Sequence, residues 1–369
     1  MTEKKITQPT SSVLMTGFVG IALVLAIAAL CVLPFEQHFF IGWVGIAFMC
    51  ATPTQMILGL LWHNELPSVV GKLPQPLKGL AFTGITILAG GFFTIVLSSL
   101  VGKGFGDTPM LIQYIILTVV VTLWLVPLWQ CWPFTLLSKK PMVFGLLTLV
   151  ATYIVAYIVW LIFFDYSALA HIPTPHGEIV HPMYHVEIDP KGLFDSWVAM
   201  TFAVTTAAVI VVHSLFDFWP IKKLAAGKPQ PVFGIVGSVY VLVFAFIVRW
   251  FFTSIVGMEQ VNYMIQVPVC MIFGSFLVNN MMQFRLFPEL KQPFRGFALL
   301  ACAILAAVIM YRLYSLASTW FVGHELISGP VSGWELELWI ATAMLGVTFP
   351  IVFVVSGYFN FWPIKKSSK

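Results

Sequence analysis

The chain has 369 residues, of which 59% are hydrophobic and 9% charged, with a formal net charge of +4. A soluble domain carries roughly a quarter charged residues, so these proportions exclude an ordinary soluble enzyme or binding module. The positive balance sits in a few short loops between apolar runs, which implies lipid headgroups as partners and no nucleic acid.

Apolar runs long enough to cross about 30 Å of hydrocarbon as helix recur along the whole chain. The first, 13–34, follows Lys4, Lys5 and Gln8-Pro9. A basic start before an apolar run is also the pattern of a signal peptide, but this run is longer than a typical signal core, so a true span is expected. The second span, 39–61, carries Thr52-Pro53-Thr54-Gln55 and is followed by Leu66-Pro67. Gln75-Pro76-Leu77-Lys78-Gly79 then opens a third span, 79–101, and the fourth, 109–130, closes at Trp132-Pro133. Lys140-Pro141, with Gly145, opens the fifth, 143–164. A long polar insertion, 165–194, precedes the sixth, 195–216, which holds Thr205-Thr206 and His213 and ends near Trp219-Pro220. Gln230-Pro231-Val232-Phe233-Gly234 opens the seventh, 232–255, with Arg249 near its far end; the eighth, 262–283, contains Gln266, Pro268 and Asn279-Asn280 and precedes Phe287-Pro288. Gln292-Pro293-Phe294-Arg295-Gly296 opens the ninth, 296–317, with Arg312; the tenth, 336–358, carries Thr348 and Pro350 and closes at Trp362-Pro363.

The recurring phrases divide the chain into five units, about 8–67, 75–133, 140–220, 230–288 and 292–363. Pro after Trp stops a helix at the interface, and the next Pro fixes the entry of the following one. Each unit crosses twice and returns the chain to its starting side, so successive units share one orientation. The expected fold is an all-α integral membrane protein of ten transmembrane helices. They form five tandem, like-oriented hairpins, pseudo-symmetric about the membrane normal, in a single membrane domain. Most of the 19 Lys and Arg fall at the N-terminus, on the linkers between the phrases or on the C-terminal tail, and most of the 15 acids at the opposite ends. Positive loops stay cytoplasmic. Both termini are therefore expected inside, in a multi-pass plasma membrane protein of the bacterial inner-membrane kind. The five-hairpin, ten-span plan resembles that of the tellurite-resistance/dicarboxylate transporter family, whose members arrange five hairpins around an anion pathway. The resemblance is one of architecture over the whole chain, and it transfers no functional residue.

Charge within the bilayer is expensive and points to function. Arg249 and Arg312 follow Pro231 and Pro293 at matching depths, framed by aromatics. They are candidates for an anion or headgroup site; snorkelling or pairing with a nearby acid explains them equally simply. The even spans are the more polar ones, and Thr52, Gln55, Gln266 and Asn280 with the two arginines are the candidate substrate-binding residues. Interhelical hydrogen bonding is the bland account of each polar residue taken singly. His213, four residues before Asp217, predicts a structural His–Asp contact on one helix face. In the insertion, His176, His181, His185 and Glu187 offer imidazole and carboxylate donors of the kind that suit zinc, copper or nickel, but at spacings that match no compact metal motif. Alternation over 183–189 predicts a short extended ribbon. The five Cys show no C-x-x-C pair, so no disulfide framework or thiolate site is indicated.

No phosphate loop, nucleophile elbow or metalloprotease motif occurs, so an enzyme is not the expected reading, and no cofactor is specified. The function expected is a transporter or channel for a small polar or anionic solute, with its pathway between the even-numbered helices. The alternative is a non-catalytic anchor or scaffold that docks an extracytoplasmic protein through 165–194. Oligomerisation is compatible with either.

Overall fold

The computed structural model describes residues 10–102, 108–174, 177–180, 189–330 and 333–365. Among them are ten helices long and apolar enough to cross a membrane: α1 Ser12–Val32, α2 Gly42–Leu61, α3 Leu77–Leu100, α4 Met110–Leu128, α5 Pro141–Phe163, α6 Ser196–Leu215, α7 Val232–Ile255, α8 Gln260–Met281, α9 Phe294–Val322 and α10 Glu335–Tyr358. The chain is thus an all-α multi-pass membrane protein. The helices match the expected spans to within a few residues, except that α9 runs five residues beyond its expected end.

Burial separates the helices into two classes. Between 67% and 78% of the apolar stretch of each even helix is buried, against 22% to 28% for each odd one. Contacts explain the difference. The even helices touch in chain order, α2 to α4, α4 to α6, α6 to α8 and α8 to α10, and α10 returns to α2, closing a ring. Each odd helix lies outside, in a groove between ring members: α3 on α2 and α10, α5 on α4 and α2, α7 on α6 and α4, α9 on α8, α6 and the start of α10, α1 on α10 and α8. The fullest antiparallel pairings are α2 with α3, α4 with α5, α6 with α7 and α8 with α9. These pairs straddle the boundaries of the sequence units, joining the second helix of one unit to the first helix of the next.

The recurring phrases acquire a physical meaning here. Every even helix ends in two consecutive residues of positive φ: His63-Asn64, Gln130-Cys131, Asp217-Phe218, Gln283-Phe284 and Asn360-Phe361. The first of each pair is polar, His, Gln, Asp, Gln and Asn in turn, and three of the five are His, Asp or Asn, the types that tolerate the left-handed region best. Just before each pair stands a bulky residue: Trp62, Trp129, Phe216, Met282 or Phe359. Each covers a glycine in the first turns of a neighbouring odd helix. A Cβ on Gly145 would lie 2.5 Å from Trp62, on Gly234 2.7 Å from Trp129, on Gly296 2.2 Å from Phe216, on Gly79 2.6 Å from Phe359 and on Gly17 2.6 Å from Met282. The glycines are there because the ring takes the side chain's space.

The glutamine of the phrase works at the same junction. A helix start leaves N–H groups unpaired and a helix end leaves carbonyls unpaired; an amide side chain can satisfy one of each. Gln230 Oε1 accepts from Gly234 N–H at 3.0 Å while its Nε2 donates to Leu128 O of α4 at 3.4 Å. Gln292 does the same between Gly296 N–H (3.1 Å) and Leu215 O of α6 (3.1 Å), and Gln75 between Gly79 N–H (3.3 Å) and Tyr358 O of α10 (2.7 Å). Where the phrase reads Lys140-Pro141, the Trp62 indole supplies the bond instead, donating to Pro141 O at 2.9 Å.

At the opposite, acidic end, carboxylates cap helix starts. Asp195 accepts from Trp197 and Val198 N–H at the start of α6, and Glu259 from Val261 and Asn262 N–H at the start of α8. The insertion begins and ends together: β1 (Phe164–Asp165) pairs in parallel with β4 (Phe194–Asp195), and between them β2 (His171–Thr174) and β3 (Gly177–Val180) form an antiparallel hairpin. The Tyr166 hydroxyl ties this segment to the ring, donating to Gln113 Oε1 of α4 at 2.8 Å and accepting from Trp160 Nε1 at 2.9 Å. Residues 183–188 of the expected ribbon lie outside the described residues.

Candidate functional site

The ring holds a partly open cavity of roughly 110 Å³ near its basic end. Four ring helices contribute to it, and they do so in register. Counting back from the positive-φ pair, the third residue is Leu60 in α2, Pro127 in α4, Ser214 in α6 and Asn280 in α8, and all four line the cavity. Seven residues before the pair stand Leu123, Ile210 and Phe276, which line it one turn deeper. The corresponding residues of the other two ring helices are Met56 and Phe353. All five of this deeper set are buried: Met56 0%, Leu123 4%, Ile210 1%, Phe276 8% and Phe353 3% exposed. Phe276 also packs against α10, its ring centre 4.5 Å from that of Phe349 and 5.7 Å from that of Phe353. The cavity is therefore capped towards the membrane centre by bulky apolar side chains.

Its polar lining is small and internally bonded. Asn279 Nδ2 donates to Ser214 Oγ at 3.4 Å, Ser214 Oγ to Val211 O at 2.6 Å, and Asn280 Nδ2 to Phe276 O at 3.0 Å. The other lining residues, Val211, Phe218 and Phe284 among them, are apolar, and among the described residues no Lys, Arg, Asp or Glu lines the cavity.

Of the six residues singled out from the sequence for substrate binding, Asn280 alone lies on this wall. Thr52 is buried and returns its hydroxyl to Phe48 O at 3.3 Å. Gln55, also buried, joins two ring helices by donating to Pro350 O of α10 at 3.3 Å, while its Oε1 is buried without a partner. Gln266 is exposed on α8. The arginines belong to outer helices. Arg249 is half-buried on α7, where Nη2 donates to Gln260 Oε1 at 2.9 Å and Nε is buried without a partner. Arg312 is exposed on α9. No hydrogen bond among the described residues joins the two. Ser214 was not singled out from the sequence. The signal that would have found it is its place three residues before the polar residue that opens the turn.

His213 corrects an expectation. Its Nδ1 lies 2.7 Å from Val209 O and its Nε2 3.2 Å from the Tyr240 hydroxyl of α7, so both ring nitrogens are used, and neither by Asp217. Asp217 accepts from Gln292 Nε2 instead, at 2.9 Å. A contact between residues four apart needs helix through both, and α6 has ended before Asp217, the first residue of the positive-φ pair. Among the described residues no group of three or more His, Cys, Asp or Glu is placed to hold a metal ion; His176, His181, His185 and Glu187 lie outside them. No protein-family model, curated protein or solved structure matches the chain.

Proposed function

We propose that this protein is a transporter or channel for a small solute in a bacterial inner, or plasma, membrane, with its path along the axis of the ring of even helices. One observation carries the reading: four of the five buried ring helices line a cavity at one end, and bulky apolar side chains close it towards the centre. Hydrophobic constrictions of this kind gate pores by excluding water. In this reading the five units are like-oriented repeats about the membrane normal. Both termini and the Trp-Pro linkers face the cytoplasm, and the odd helices hold the ring in lipid. The solute is small and polar or anionic, and the uncharged cavity wall favours the neutral member of that class.

The direct test is solute entry into vesicles containing the purified protein, followed by light scattering with neutral and anionic solutes. Rates above those of protein-free vesicles are expected for at least one solute, and a return to the protein-free rate on Ser214→Trp, which fills the cavity. Equal rates with and without protein for every solute would overturn the reading. A second reading, a scaffold that docks an extracytoplasmic protein through 165–194, draws on Leu193 and Phe194, which are 69% and 51% exposed beside the β1–β4 pair. Under it, deleting 172–190 abolishes partner capture and leaves solute entry unchanged.

A further inference from the structure

We infer that the cavity at the basic end of the ring binds a small uncharged solute that both donates and accepts hydrogen bonds, of about the size of a simple amide. The inference rests on the reading of the ring as a solute path, and it names the solute's chemistry. Size comes first. An apolar cavity of about 150 Å³ holds a benzene molecule, so roughly 110 Å³ accommodates about four to six heavy atoms.

The hydrogen-bond inventory of the wall gives the polarity. The lining side chains with polar hydrogens are Ser214, Asn279 and Asn280. Each of the three donates to another group of the protein: Asn279 Nδ2 to Ser214 Oγ, Ser214 Oγ to Val211 O, and Asn280 Nδ2 to Phe276 O. What is left over on each of Asn279 and Asn280 is the Oδ1 acceptor, which takes part in none of these bonds, and the second hydrogen of Nδ2. A solute that brings both a donor and an acceptor, as a primary amide does, completes the wall, whereas one that brings only acceptors leaves both Oδ1 atoms without a partner.

Charge is decided by magnitude. An anion in this cavity would meet no basic side chain among the described residues and only the two spare amide N–H groups. Taking an ion out of water costs several kcal/mol even after relaxation, which two hydrogen bonds to a charged group, at about 1.5–3 kcal/mol each, at best offset. A cation would have two amide oxygens and an otherwise apolar surround, with the same outcome. A neutral solute loses little on entry and leaves its apolar part against Leu60, Leu123 and Ile210.

Acetamide and acetate make the test, because they share shape and differ in charge and in donors. Binding is read by saturation transfer from the full-length protein in nanodiscs at pH 8, and entry by light scattering of vesicles containing it. Acetamide is expected to bind and acetate not to bind. Asn279→Leu and Asn280→Leu should each weaken acetamide about fivefold to tenfold, the loss of one hydrogen bond. Leu60→Trp fills the cavity without removing any hydrogen bond and should abolish binding, with unchanged thermal unfolding as the check that it folds. Acetate bound or carried as well as acetamide overturns the inference and leaves the transport reading standing. Acetamide bound at this wall while neither solute enters vesicles leaves the site standing and overturns transport. If acetamide does not bind, or if its binding is unaffected by Leu60→Trp, the inference is wrong whatever the vesicles show.

Discussion

Gly234 and Gly296 sit under the aromatic rings of Trp129 and Phe216, where even one methyl group has no room. Gly234→Ala and Gly296→Ala should each destabilise the protein by about 1–3 kcal/mol, the range for overpacking. Gly84→Ala is the control: nothing lies within 4 Å of its Cβ position, and replacing a helical glycine should leave stability unchanged or raise it by up to about 1 kcal/mol. Thermal unfolding in nanodiscs checks all three. Gln230→Glu keeps the acceptor for Gly234 N–H but turns an oxygen towards Leu128 O where a donor stood; a loss of about 1–3 kcal/mol is expected in the same assay. At the acidic end, the Ser167 hydroxyl and N–H, with Lys191 behind them, hold the Asp165 carboxyl below the usual aspartate range. A carboxylate lowered by folding contributes above its unfolded pKa, and that contribution is lost as the pH falls through the folded value. Amide exchange at 164–167 and 191–195 should therefore quicken when the pH is taken below about 4, and Ser167→Ala should move that onset upward. The Gln-Pro-x-x-Gly phrase was legible as a helix entry, because Pro and Gly have known local effects. Its Gln and Gly act on a helix remote in sequence, which no local rule reveals. His213 shows the same limit, since its partner Tyr240 lies on another helix.

Among the helices, the contrast between even and odd was visible as polarity: Thr, Gln and Asn residues concentrate in the even spans, and burial follows. What the sequence withheld was the partner of each helix. Neighbours in a sequence unit share a loop at the acidic end, yet the fullest contacts are made across the basic linker, and the glycine and glutamine of each phrase dock onto the end of a third helix. The cavity layer was also hidden, since the residues three before each turn, Leu60, Pro127, Ser214 and Asn280, have no chemistry in common. They are related by position alone. The apolar layer above them gives a prediction at this scale. Phe276→Ala with Phe353→Ala removes two of its five members and should raise solute entry into vesicles severalfold over wild type, at a cost of about 3–5 kcal/mol of stability per buried ring. Unchanged entry by a folded double variant would place the barrier elsewhere.

For the molecule as a whole, the distribution of charge predicts the orientation. In a background without its five cysteines, Ala226→Cys on a basic linker and Leu193→Cys beside the insertion should label from opposite sides of sealed vesicles, Leu193→Cys from the periplasmic side. Labelling of both from one side would sink the topology. The ring also constrains how the protein is made. Helix α1 leaves the ribosome first, but its groove lies between α8 and α10, and Gly17 and Gly20 fit against Met282 and Phe361 near the far end of the chain. During synthesis α1 must wait in the bilayer without its seat until α8 and α10 have been inserted. A chain that stops before α10 leaves the ring open and its first helix unmoored, so membrane quality control has a plain mark by which to tell an unfinished copy from a finished one.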